Sequence, residues 1–130
     1  MYKVAIKPQW TINDDKGEVL SPRLLELLSN VQEHGSLSGA CKANGGSYRH
    51  AWDLVRQGEK LLGTTLLNKE KGKGSTLTPL GEKLVWAERR ISARLTPTLE
   101  SLSSELEVEL SKIISTTNDV LRVHASMVLP

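Results

Sequence analysis

The sequence predicts a mainly α chain with small β hairpins, in which a cluster of short helices precedes one long helix. Three observations predict it. Between Ser21 and Gly63, three apolar-periodic runs each follow a serine and end near a glycine, which is how short capped helices open and close. Two strand-like runs then flank a tip rich in glycine and lysine. From Leu84 to Ile113, finally, apolar residues recur at intervals of three and four.

A length of 130 residues allows one ordinary domain, or a domain with a long appendage. With 38% hydrophobic and 25% charged residues the chain is globular in composition, and because it has no Phe its core must be built mainly from aliphatic side chains. No run is long and apolar enough to cross a membrane, and "MYKVAIKPQW" lacks the apolar stretch of a signal peptide. Cys41 is the only cysteine, which excludes an internal disulfide. These points favour a cytoplasmic location. The net charge of +2 is unevenly spread: −1 over residues 1–35, +6 over residues 36–98 and −3 over residues 99–130. A basic middle between acidic ends suggests a local polyanion-binding surface, the alternative being an ordinary solvated one.

Residues 2–12 alternate with period two, from Tyr2 and Val4 to Trp10 and Ile12, and read as a strand that Pro8 confines to an edge or bends. "NDDKG" is a turn, with Glu18–Leu20 as a short returning strand. Ser21-Pro22 starts the first helix, whose apolar face is Leu24, Leu25, Leu27, Leu28 and Val31, and Gly35 ends it. Ser36 caps a second helix through Ala43 with Leu37, Ala40 and Cys41 inward. "NGG" turns the chain, Ser47 caps a third helix to about Leu62, and Gly63 stops it. The hairpin strands fall around Thr65–Asn68 and Ser75–Thr78. Thr78-Pro79 opens the long helix, which Pro97 should kink or interrupt. "STTND" reads as a linker and "VLRVHAS" as one more strand.

Helix, glycine turn, helix, then a basic hairpin is the order of a winged helix-turn-helix. On a helical wheel of the third helix, Ala51, Val55, Gly58 and Leu62 share one side, with Arg49, Asp53, Arg56 and Lys60 opposite. Arg49, near the helix start, is suited to bond two acceptors of a guanine, and Asp53 to orient Arg49 or accept from a cytosine amino group. Ser47, Tyr48 and His50 would assist at the helix start. Lys60 and the wing lysines Lys69, Lys71 and Lys73 would serve the phosphate backbone. Without DNA, the same helix face would be an exposed ion-paired surface, and the lysines would simply discourage edge pairing. Trp52 lies between the two faces as a part-buried packing residue; Trp10 and Trp86 read as core or interface residues.

Competing chemistry is weak. "KGKGST" lacks the P-loop pattern, since Leu67 and Gly74 stand where a glycine and a Ser or Thr are required. His34 and His50 do not stand at metal-ligand spacing from Cys41, which reads as a small core residue. No catalytic residues, metal or cofactor are expected.

"GSLSGACKA", "SYRHAWD" and "LTPLGEKL" are the most specific pieces of a resemblance covering about residues 10–92. Over that span the sequence resembles the N-terminal domain of ModE-type molybdate-responsive transcriptional regulators, and more distantly LysR-type regulators. The resemblance implies a winged helix-turn-helix that binds operator DNA as a homodimer, with Ser47–Leu62 as the recognition helix. The basic and small polar residues at the start of that helix carry over to Ser47, Tyr48, Arg49 and His50. The wing is shorter here than in close relatives, and it bears lysines. Nothing like the oxyanion-binding part of ModE proteins follows the DNA-binding region. "LRVHAS" is instead similar to the first strand of the effector domain of LysR-type proteins. On this resemblance the chain is expected to be a fragment or a natural short form, and a small-molecule effector would bind a domain outside it.

The expected organisation is therefore a β hairpin and winged helix-turn-helix over residues 1–78, a linker and dimerisation helix over 79–114, and a linker with the first effector-domain strand over 115–130. The expected partners are double-stranded DNA and a second copy paired along the long helix, with no membrane. The competing reading is a winged-helix protein-interaction module that does not bind DNA.

Overall fold

Serine, proline and glycine divide the chain into helices where the sequence places them. In a computed structural model that describes residues 2–70 and 74–128, helix α1 spans Pro22–His34, α2 Leu37–Asn44, α3 Tyr48–Leu62 and α4 Pro79–Val128, with strands β1 at Leu67–Glu70 and β2 at Gly74–Leu77. Each short helix opens on a serine hydroxyl that accepts a backbone N–H: Ser21 from Arg23, Ser36 from Gly39 and Ser47 from His50. Such a cap contributes about 1 kcal/mol over alanine. Each closes on a left-handed glycine, Gly35, Gly45 or Gly63, whose N–H returns to the carbonyl of Val31, Cys41 or Glu59 respectively.

Two units make up the chain, Gln9–Ile91 and Met1–Pro8 with Ser92–Pro130. In the first, Leu24, Leu25, Leu28 and Val31 of α1 pack with Leu37, Ala40 and Cys41 of α2, Ala51 and Val55 of α3, Leu66, Leu67, and Leu84 and Val85 of α4. Cys41 is a buried core residue, as its setting predicts. Strands β1 and β2 pair antiparallel, Leu67 opposite Leu77 and Glu70 opposite Gly74. Trp10 and Ile12 are partly buried against this core, and the Trp10 indole Nε1 donates to the Glu88 carboxylate. Trp86 is half exposed, with Lys83 and Arg90 over its ring.

The joint between the wing and α4 explains part of "LTPLGEKL". The Thr78 hydroxyl donates to the Thr65 carbonyl at 2.8 Å and accepts the Gly81 N–H, while the Thr78 N–H reaches the Leu66 carbonyl at 3.0 Å. A Cβ on Gly81 would lie 2.7 Å from that same carbonyl oxygen. Gly81→Ala sets a helix gain of at most about 1 kcal/mol against an overpacking loss of about 1–3 kcal/mol. The carbonyl is already held by Thr78, so relaxation is restricted and a net loss of about 1–2 kcal/mol is expected in urea unfolding. Gly46→Ala is the control: nothing lies within 4 Å of its Cβ position, and it should shift the midpoint little.

Three expectations are corrected. Among the described residues, 2–12 form no strand; pairing in this region is confined to the bridge between Asn13 and Val19, beside which the Leu20 N–H donates to the Ile12 carbonyl at 2.8 Å. Asp14 takes over the local donors, its carboxylate accepting the N–H groups of Lys16 and Glu18. In the other unit the Val4 N–H goes to the Glu107 carboxylate at 2.7 Å, so it is bonded to a side chain instead of a ladder. Pro97 does not interrupt α4, because a proline removes one helical N–H donor while the bonds before and after it persist. Residues 115–128, expected as a linker and a strand, continue α4; "STTND" contains no proline or glycine to stop a helix already formed.

Within the second unit, Lys3, Val4 and Ile6 line a groove with Leu99, Ser103 and Glu107 of α4. Leu99 is thus partly covered by its own chain, whereas Leu102 and Leu106 are 48% and 43% exposed and Ile113 62%.

Candidate nucleic-acid interface

The turn between α2 and α3 is made by Gly45, at φ 69°, and Gly46, whose N–H donates to the Cys41 carbonyl at 3.1 Å. The positive φ is cheap only for glycine, which accounts for the "NGG" that separates the two helices. Ala51 and Val55 then face the core, and Gly58 lets α3 approach α1 so closely that a Cβ there would meet Leu24 at 2.2 Å. With that face fixed, the opposite face is fixed too: Arg49, Asp53, Arg56 and Lys60 are all exposed.

Among the described residues no carboxylate lies within 4.0 Å of the cationic groups of Arg49, Arg56 or Lys60. The ion-paired face is therefore not formed, and Asp53 does not orient Arg49. Ser47 is spent on capping α3, and His50 and Tyr48 are exposed beside it, Tyr48 at 49%.

Trp52 binds this surface together. Its ring meets Tyr48 edge-on, with centroids 6.3 Å apart and planes at 81°. The Arg56 guanidinium carbon stands 5.8 Å from its centroid and Lys69 Nζ 4.6 Å. Trp52 is part-buried, as expected for a packing residue, and its buried indole Nε1 has no hydrogen-bond partner among the described residues. Lys69, on β1, is exposed, and its contact with Trp52 places it on the α3 side of the hairpin. Lys71 and Lys73 lie outside the described residues.

Glu59 was not singled out by its sequence position. Its Oε2 accepts the Leu66 N–H at 2.7 Å and the Leu67 N–H at 3.5 Å, tying the end of α3 to the first strand of the wing. No periodicity signals a side chain that bonds backbone seven residues on. Among the described residues no group of three or more His, Cys, Asp or Glu could hold a metal ion, and no helix is long and apolar enough to cross a membrane.

Comparison with known proteins agrees with this geometry. Residues 22–82 match the family described as bacterial regulatory helix-turn-helix protein, lysR family. The molybdenum-pterin-binding protein MopB of Rhodobacter capsulatus is 30% identical over 102 residues, which are 75% of this chain and 38% of MopB. The transcriptional regulator ModE of Yersinia pestis is 35% identical over 68 residues, which are 49% of this chain and 26% of ModE. Among solved structures, the full-length LTTR LysG from Corynebacterium glutamicum is similar with a TM-score of 0.57 and 28% identity, over 67% of this chain and 30% of LysG. The chain thus spans little more than a third, or less, of the length of these relatives.

Proposed function

We propose, from the premise that residues 22–82 form a helix-turn-helix domain of the bacterial lysR family, that the chain is a DNA-binding transcriptional regulator. It acts as a homodimer and lays α3 in the major groove. The observation that carries this reading is the exposed row Arg49, Asp53, Arg56 and Lys60, whose cations have no carboxylate partner among the described residues. Unpaired cations at the start of a helix braced by its predecessor are suited to base edges and phosphates. Arg49, Asp53 and Arg56 read bases, Ser47, Tyr48 and His50 act at the helix start, and Lys60, Lys69, Lys71 and Lys73 meet the backbone. The second copy pairs along α4, where Leu102 and Leu106 remain half exposed.

Selection of bound sequences from a random duplex pool tests the reading. A palindromic enriched site is expected, since two-fold protein symmetry is mirrored in the operator. Absence of duplex binding even at low salt would replace this reading with the protein-interaction module.

The wing gives a second measurement. Replacing Lys69, Lys71 and Lys73 together with Ala should weaken binding about equally on all sequences. For every phosphate that is no longer neutralised, the slope of log K against log salt should flatten by about 0.9. An unchanged slope would remove the wing from the interface.

A further inference from the structure

Among the described residues, Trp52 is the one aromatic residue whose ring meets cations of both α3 and the wing. Resting on the proposed DNA-binding function, we propose that Trp52 is a positioning residue for that binding: its ring holds Arg56 of α3 and Lys69 of β1 in one preset cationic platform.

The geometry supplies the argument. A cation within about 6 Å of an indole centroid is attracted by the ring's quadrupole, and both Arg56, at 5.8 Å, and Lys69, at 4.6 Å, meet that condition. Neither cation has a carboxylate within 4.0 Å among the described residues, so the ring is their shared anchor. Two like charges gathered at one ring repel each other, and an anion placed between or beyond them relieves that repulsion. A lysine ammonium carries three donors and a guanidinium five, so contact with a ring leaves donors for a phosphate. Tyr48 packs edge-on against the same ring and limits its rotation. Long cationic side chains otherwise lose rotamer entropy on meeting DNA; here part of that loss is incurred before the encounter.

The platform is tested by a double-mutant cycle on the full chain, read as affinity for the operator duplex selected from the random pool, at low salt. Trp52→Leu should weaken binding about three- to tenfold, a fraction of the ordering cost that the two long side chains would otherwise meet on binding. In a chain already carrying Arg56→Ala and Lys69→Ala, the same substitution should change affinity less than about twofold, because its partners are gone. Trp52→Phe, which keeps a weaker quadrupole, should fall between the parent and Trp52→Leu. Equal losses in both backgrounds would make Trp52 a packing residue only and overturn the proposal, as would no loss in either. Should Trp52→Leu fail to fold, Trp52→Phe in the same two backgrounds decides by the same criterion. A parent chain that binds no duplex would instead overturn the DNA-binding reading itself, an outcome distinct from a flat cycle on a binding-competent parent.

Discussion

A Leu102→Glu/Leu106→Glu double variant is expected to sediment as a folded monomer and to bind a full operator about a hundredfold or more weaker than the parent chain. Both leucines are roughly half exposed, so the substitution leaves the chain's own core intact. Full burial of a leucine contributes about 1.5–3 kcal/mol, and half of that remains available at each site. A symmetric pair of chains brings four such leucines together, so about 3–6 kcal/mol of association rests on them before the new carboxylates repel. Losing the pair turns bivalent binding into two independent events, and the effective-concentration advantage disappears. The circular dichroism of the variant should match the parent, which separates dissociation from unfolding. A parent chain that sediments as a monomer at high concentration would sink the proposal.

Arg49→Ala should cost about 1–3 kcal/mol on the selected operator and relax preference at one base position in each half-site. Arg49 is the second residue of α3, exposed and without an ion-pair partner among the described residues, so truncation leaves the fold's own packing in place. A bidentate guanidinium is worth more against the right base than against the wrong one, and the loss should therefore be small on random duplex. Competition binding on both DNAs measures the difference. Equal losses on the two would demote Arg49 to a phosphate contact.

The helix-turn-helix was legible because its signals are local. Ser21, Ser36 and Ser47 cap within three residues, and Gly35, Gly45 and Gly63 close within one turn, so no distant partner had to be known. The exposed row of α3 was legible for the same reason: a period of 3.6 assigns it once Ala51 and Val55 are placed inside. What was not legible depended on partners far along the chain. Alternation over residues 2–12 is a strand signal only if another strand pairs with it, and here the Val4 N–H meets Glu107. The bonds of Glu59 to the wing, and the two cations at Trp52, follow from where the hairpin folds back, which spacing alone does not encode. The continuation of α4 through residues 115–128 outweighed the strand-like reading of "VLRVHAS", since extending an existing helix needs no new nucleus.

The hydrogen bond from Trp10 to Glu88 joins residues 78 apart and lies near both ends of the Gln9–Ile91 unit. Closing so long a loop is entropically slow, whereas α1, α2 and α3 draw on neighbours a few residues away. Synthesis runs from the N-terminus, so the three short helices leave the ribosome before the residue that Trp10 must meet. Trp10 therefore waits through the emergence of the wing, and the indole locks only after the first turns of α4 are out. In a chain whose Trp52 and Trp86 are replaced, the fluorescence of Trp10 is therefore expected to change late in synthesis, in an order set by the direction of translation as much as by the energy of the bond.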